Sequence, residues 1–167
     1  MQLCGVHVMQ VGKFLVVDAD DIRKIYQQAD FAKMDEKTKK ILDEIQKEFF
    51  KSYSGGTLDF SLYDWHALNG GNIRAVFPHD ILRDAVEPSC GTGSVAIGVT
   101  VVAKREVERE NIYRDGEYKV SLETGGGTEL GGPERTDLYM SSFNSMITNI
   151  SFSHSLVKIT AIGELII

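Results

Sequence analysis

The chain has 167 residues, of which 43% are hydrophobic and 25% are charged, and its formal net charge is −6. This length and balance are typical of a soluble domain with a sizeable core. The negative charge, with no stripe of lysine or arginine, argues against nucleic acid and anionic membrane as partners. No apolar run approaches the roughly 18 residues that cross a bilayer, and the N-terminal residues have no secretory signal pattern, so we expect a cytoplasmic protein.

The N-terminal part is predicted to hold one buried strand followed by two helices. Residues 13–18 form a short β-branched apolar run that ends in an acid, a pattern typical of a buried strand. The acids that follow can cap a short helix from 22 to about 28. Asp35 is a suitable cap for a longer helix over 36–52. The apolar residues of that helix fall on one face: Ile41, Leu42, Ile45, Phe49 and Phe50.

The rest of the chain is predicted to place strands on both sides of one apolar helix. The strands before the helix are expected at 57–62, 73–77 and 82–87, the last two closed by prolines. The helix covers about 94–105 and is apolar on most sides, as a helix enclosed by a sheet should be. The strands after it are expected at 117–122, 137–140 and 155–167, with a glycine-rich loop over 124–133.

This order of elements predicts an α+β fold in which 1–167 form a single lobe. A curved, mostly antiparallel sheet would surround the central helix at about 94–105. The two cysteines, Cys4 and Cys90, are expected to be reduced thiols. Neither they nor the four scattered histidines have the spacing of metal ligands, so no metal site is predicted.

The strongest functional motif is the run Cys90-Gly91-Thr92-Gly93-Ser94, at the start of the apolar helix. Glycines allow the backbone to turn tightly and to approach a ligand closely. The first amides of a helix have no acceptor within it, and with the helix dipole they form a site suited to a carboxylate. The same field favours the thiolate over the thiol. A carboxylate cradle beside a base suits proton abstraction next to a carboxylate.

The motif, continued by Val95-Ala96, resembles the second cysteine motif of the diaminopimelate epimerase and proline racemase superfamily. The resemblance extends over most of the chain, and it implies a diaminopimelate-epimerase-like lobe equivalent to the C-terminal half of a two-lobed enzyme. The other segments that follow the order of that lobe are 11–21, 71–77, 120–127, 138–140 and 159–165.

The resemblance implies a two-base racemase or epimerase that uses neither pyridoxal phosphate nor another cofactor. One thiol removes the α-proton of an amino acid or related carboxylate, and a second thiol on the opposite face returns it. Cys90 would be one base, and Gly91, Thr92, Gly93 and Ser94 would hold the substrate carboxylate. The second base belongs to another lobe, which would come from the same longer chain, a separate subunit or a homodimer mate.

The sequence departs from the family pattern at three positions. Cys4 lacks the helix-start signature of a second catalytic cysteine. The Gly-Asn-Pro-His turn that contacts substrate in many members corresponds here to Gly12-Lys13-Phe14. The acid that the epimerases place four residues before the cysteine is replaced by Val86, and Glu87, one position away, becomes a candidate substrate-binding residue.

Asn72 is a further candidate for substrate binding, because Gly71-Asn72 resembles part of the family's other cysteine motif. A role in a turn is the alternative for this residue. Two other functions stay open for the whole chain. It could be a non-catalytic module that binds a small carboxylate or serves a larger complex. It could instead be a cysteine hydrolase or transferase, if His79 or His154 reaches Cys90.

Overall fold

The structure, a computed structural model, describes residues 2–3, 5–32, 34–52, 59–67, 70–80, 85–87, 89–108, 116–124, 134–144 and 146–154. Within these ranges the chain forms nine strands and three helices. In chain order they are β1 (Gln2–Leu3), β2 (Val6–Val11), β3 (Phe14–Asp18), α1 (Ala19–Ile25), α2 (Glu36–Ser52), β4 (Asp59–Asp64), β5 (Ile73–Asp80), β6 (Ala85–Glu87), α3 (Gly91–Glu108), β7 (Gly116–Thr124), β8 (Glu134–Phe143) and β9 (Met146–His154).

Seven strands form a curled mixed sheet in the order β2-β3-β4-β5-β7-β8-β9, which resembles half of a barrel. The short strands β1 and β6 pair with β2 and β5. Neighbouring strands are antiparallel except for two parallel pairs, β3 with β4 and β5 with β7. The predicted α+β class and the curved, mostly antiparallel sheet are therefore confirmed.

Helix α3 lies inside the curl of the sheet. It contacts β2, β3, β4, β5, β7 and β8, which is possible only if the sheet bends around it. Ile97 and Val101 are completely buried in the core between the helix and the sheet. A side chain at Gly98 would lie 2.6 Å from Leu138 Cδ1, so the glycine permits the close packing of α3 on β8. The predicted central apolar helix is confirmed.

The other face of the sheet is covered by α1 and α2 over β2 to β5, around a second core cluster. Asp35 caps α2 as predicted, because its Oδ1 accepts hydrogen bonds from the Thr38 N–H at 2.9 Å and the Thr38 hydroxyl at 2.8 Å. The apolar face of α2 is buried at Leu42, Ile45 and Phe49, whereas Phe50 is 41% exposed. The placement of Phe50 on the buried face was wrong.

Several predicted boundaries were wrong. Helix α3 begins at Gly91, three residues before the predicted start, so the Gly-Thr-Gly run forms its first turn. Helix α1 begins at Ala19 because Asp18 caps it, with its Oδ1 accepting the Asp20 N–H at 3.0 Å. Strand β5 continues through Pro78 to Asp80. Of the long hairpin formed by β8 and β9, only residues 137–140 of β8 were predicted as a strand. The predicted strand 155–167 lies outside the described residues.

Among the described residues, no helix has both the length and the apolar character that crossing a membrane requires.

Candidate functional site

Cys90 is the residue that caps the N-terminus of α3. Its carbonyl oxygen accepts the first helical hydrogen bond, from the Ser94 N–H at 2.8 Å. Its Sγ accepts the Gly93 N–H at 3.4 Å and lies 3.6 Å from the Thr92 hydroxyl. The side chain is half-buried and packs on the edge of the inner core. The sulfur is therefore held at the positive end of a buried helix while it stays open to solvent.

Two amides of the first turn are free to bind a ligand. Gly91 and Thr92 are exposed, and their N–H groups have no acceptor among the residues that the structure describes. Gly93 and Ser94 differ, because the sulfur and the carbonyl of Cys90 already accept their N–H groups. The predicted carboxylate cradle over Gly91 to Ser94 is therefore available at its first two residues only.

The first turn of α3 lies directly against β4 and β5. A side chain at Gly93 would come within 2.9 Å of the Phe77 ring and 3.1 Å of the Ser61 hydroxyl. Ser94 is fully buried and its hydroxyl, like that of Ser61, has no hydrogen-bond partner within the described part of the chain. Gly93 is thus needed for the close approach of helix and sheet, rather than for contact with a ligand.

Cys90 lines a cleft of about 700 Å³, a volume sufficient for a small ligand. Three elements form its walls: the β2–β3 turn, the first turns of α3 and the end of β9. Most of the surface is apolar. The lining residues are Val11, Gly12, Lys13, Phe14, Cys90, Gly91, Thr92, Val95, Ala96 and Phe152.

Lys13 is the charged residue in this lining, and the tight β2–β3 turn places it there. Gly12 takes the left-handed conformation that this turn needs, with φ of 58°. The Lys13 ammonium lies 2.8 Å from an Asp59 carboxylate oxygen, and its side chain is 66% exposed. The hydrogen bond and the charge of Asp59 raise the Lys13 pKa, and the Cys90 sulfur acts in the same direction. Lys13 is therefore a cation at neutral pH.

No protein-family model matches the chain, and no curated protein matches it. The functional assignment therefore depends on the arrangement of residues around Cys90.

The structure does not bring Asn72 into the cleft. The Asn72 N–H donates to the Ser121 carbonyl at 2.8 Å, and its Oδ1 accepts the Ser121 N–H at 3.1 Å. These bonds extend the pairing of β5 with β7. Phe77, which contacts the first turn of α3, lies five residues further along β5, roughly 16 Å away at about 3.3 Å per residue. Asn72 thus lies in a turn at the edge of the strand, in agreement with the alternative role given for it above.

The other predicted residues are only partly described. Glu87 ends β6, and its backbone pairs with Phe77, beside the first turn of α3. The side chains of Glu87 and His79, and the whole of Cys4, lie outside the described residues.

His154 contacts the residue before Cys90. Its Nε2 lies 3.2 Å from the Ser89 hydroxyl and 3.0 Å from a Glu134 carboxylate oxygen. Both contacts use the same ring nitrogen, which cannot accept a proton from Ser89 while it donates one to Glu134. These contacts attach the start of α3 to the end of β8 and β9.

A second group of potential ligand atoms lies away from the cleft. Asp20, Asp64 and His66 have carboxylate and imidazole atoms within 4.8 Å of one another. The Arg23 guanidinium hydrogen-bonds to both carboxylates and supplies the positive charge that a metal would bring. Burial raises the pKa of Asp64, but Arg23 and the His66 N–H outweigh this effect and lower it. The cluster is an ion pair network.

Lys13 and Phe152 are site residues that sequence reasoning did not identify. The signal available for Lys13 was its position in the turn that corresponds to the family's substrate-contacting turn. Phe152 had no such signal, because the strand that carries it was not predicted. Its ring lies against Gly91, at 3.3 Å from the place where a side chain would begin.

Proposed function

We propose that the chain is a lobe of a pyridoxal-independent racemase or epimerase of the diaminopimelate epimerase type, with Cys90 as a proton-transfer base. The observation that carries the proposal is the half-exposed sulfur beside two amides that have no acceptor within the described ranges, at the N-terminus of a buried helix that borders a cleft. The curled sheet around α3 agrees with the lobe that the sequence resembles.

The reaction begins with the substrate carboxylate at the N–H groups of Gly91 and Thr92. The Cys90 thiolate then takes the proton from the adjacent carbon, so that the C–H bond breaks and an S–H bond forms. The electron pair of the broken bond spreads into the carboxylate. The two amides and the positive end of α3 stabilise that charge as it develops, which is where such donors lower a barrier most.

Inversion requires a second base on the opposite face of the substrate. Cys90 is the one free thiol in the described part of the chain. The cleft is open to solvent, so a second lobe can supply the other base across it. That lobe belongs to the same longer chain, to a separate subunit or to a second copy related by a two-fold axis. Once inversion is complete, exchange with water restores both bases to their starting protonation states.

The second candidate is a module that binds a small carboxylate without reaction. The observation that favours it is the hydrogen bond from the Gly93 N–H to the Cys90 sulfur, which caps the helix. Cys90 would therefore stabilise α3 even if it catalysed no reaction. The free amides of Gly91 and Thr92 would bind the carboxylate in the same way.

The experiment is proton exchange in D₂O, followed by NMR at the carbon next to the carboxylate. The panel contains both enantiomers of apolar, acidic and basic amino acids and of 2-hydroxy acids. The proposal predicts deuterium incorporation by the isolated chain, since one base is sufficient for exchange. The configuration is retained if the second base comes from a different lobe and is inverted if a second copy of the chain supplies it. Chemical-shift changes without exchange anywhere in the panel would instead support the binding module. An acyl adduct on Cys90, detected by mass spectrometry after incubation with esters, would contradict both.

A further inference from the structure

Lys13 and Cys90 lie on different walls of the same cleft. Lys13 comes from the β2–β3 turn, whereas Cys90 and the free amides come from α3. Both residues line this cleft of about 700 Å³. An anion in the cleft therefore meets a cation on one wall and, on another, two N–H donors without an acceptor in the described part of the chain.

We propose that Lys13 determines the ligand specificity of the cleft, by selecting a small carboxylate with an apolar body. The inference rests on the proposed function, because it concerns the same cleft, and it assigns the substrate class. The carboxylate binds between the Lys13 ammonium and the N–H groups of Gly91 and Thr92. Val11, Phe14, Val95 and Phe152 then surround the rest of the molecule.

The apolar body follows from the remaining lining of the cleft. Apart from Lys13, the described lining residues carry no formal charge unless Cys90 ionises. A charged group in the ligand's side chain, away from its α-carbon, would lose water there without gaining a partner, which is costly. Phe152 is 53% exposed, so it can pack against an apolar ligand at the open side of the cleft.

Asp59 competes with the ligand for Lys13. It holds one of the three ammonium protons at 2.8 Å, and its side chain is 24% exposed. No other acceptor for this ammonium lies among the residues that the structure describes, so its other protons can bind a carboxylate. Asp59 also repels an incoming anion. Removal of the Asp59 charge should therefore strengthen the preference of the cleft for anions, and removal of the Lys13 charge should weaken that preference. The Lys13 side chain is not the second base, because an ammonium bound to Asp59 has no lone pair to accept a proton.

The test is the rate of alkylation of Cys90 by iodoacetate, an anion, and by iodoacetamide, its neutral analogue. In both reactions the sulfur displaces iodide from a CH₂ group, so the chemistry is the same and only the charge of the probe differs. The rate is measured on the Cys90 peptide by mass spectrometry. The proteins are the wild type, Lys13→Gln, Asp59→Asn and a control, Lys47→Gln, whose lysine is 56% exposed and paired with Asp43 on α2.

Lys13→Gln should lower the iodoacetate rate about threefold relative to the iodoacetamide rate, the size expected for one unit charge in a solvated cleft. Asp59→Asn should raise the same ratio, and Lys47→Gln should leave it unchanged. An unchanged ratio in Lys13→Gln, or an equal fall in both rates, would overturn the inference. Alkylation needs no turnover, so the role of Lys13 can fail while proton exchange is still observed, and the reverse also holds.

Discussion

The two ends of α3 hold their polar groups in opposite ways. At the N-terminal end, the Cys90 sulfur is half-exposed and the amides of Gly91 and Thr92 have no acceptor among the described residues. Toward the other end, the Lys104 ammonium is bound by the Asp18 carboxylate and by the Tyr63 hydroxyl at 3.2 Å. Burial lowers the pKa of Lys104, but these two hydrogen bonds outweigh it and raise that pKa.

The difference separates a region with paired charges from the candidate site. Paired charges such as Lys104 with Asp18, or Arg23 with Asp64 nearby, stabilise the fold but leave little for a ligand to bind. The N-terminus of α3 keeps two N–H donors for which the described part of the chain offers no acceptor. Substitutions at the paired end should therefore change stability without changing the reactivity of Cys90.

The largest effect on stability is expected from Arg23→Gln. The Asp64 side chain is only 3% exposed, and without Arg23 it would be a buried carboxylate without its cation. The cost should be about 2 kcal/mol, below the range for a fully buried pair because Arg23 is 27% exposed. Urea unfolding measures it. Lys24→Gln, on the same helix but 73% exposed, should have a much smaller effect, because solvent screens an exposed ion pair. Equal effects of the two variants would contradict the structural role of Arg23.

The next effect on stability is expected from a substitution at Gly93, for which Gly91 in the same turn of α3 is the control. Gly93→Ala should cost about 1–3 kcal/mol, because the new methyl group would overlap the Phe77 ring at 2.9 Å. Gly91→Ala should stay within about 0.5 kcal/mol, since the nearest atom belongs to the exposed Phe152 ring at 3.3 Å. Thermal unfolding of both variants provides the comparison. If Gly91→Ala were the more harmful substitution, the packing described for this turn would be wrong.

A smaller effect is expected from the cap of α3. Cys90→Ala removes the acceptor of the Gly93 N–H and should cost about 0.5–1 kcal/mol. Cys90→Ser supplies an oxygen acceptor, so its free energy of unfolding should remain within about 0.5 kcal/mol of the wild type. Chemical denaturation distinguishes the two variants, and an alanine variant as stable as the serine variant would show that the sulfur does not cap the helix.

The smallest effect is expected from the surface pair of Arg135 and Asp137. Hydrogen bonding from Arg135 lowers the Asp137 pKa to about 2. A carboxyl group with a lowered pKa in the folded state contributes stability above its unfolded pKa of about 3.9 and loses it as the pH falls toward 2. Arg135 is 50% exposed, so Asp137→Asn should cost no more than about 0.5 kcal/mol at pH 7 and nothing near pH 2. Unfolding at both pH values tests the sign, and a larger cost at low pH would contradict it.

The parts of the fold that depend on local signals could be predicted from the sequence. Helix α2 has a capping aspartate and one apolar face, and its predicted bounds are correct. The centre of α3 was predicted from its apolar character. Its start was not, because glycines disfavour a helix interior. Gly93 belongs to the helix because Phe77 and Ser61 of neighbouring strands approach it, which is a tertiary effect that no local pattern contains.

The parts that depend on distant contacts could not be predicted. Strand β9 is rich in serine, threonine and asparagine, and it is defined by its pairing with β8 rather than by alternation of buried and exposed residues. Cys90 and the amides after it are contiguous in sequence, so that part of the candidate site could be predicted from a local motif. Lys13 and Phe152 reach the cleft only through the curl of the sheet, and Asn72 is kept away from it by the same topology.

The most direct test of Cys90 as a proton-transfer base compares α-deuterium incorporation by the wild type and by Cys90→Ser in D₂O. The serine variant keeps the cap and the free amides, but its hydroxyl is a far weaker base than a thiolate at neutral pH. The account predicts exchange by the wild type and a loss of at least about 100-fold in the serine variant, with carboxylate binding retained. Equal exchange by the two proteins would contradict it.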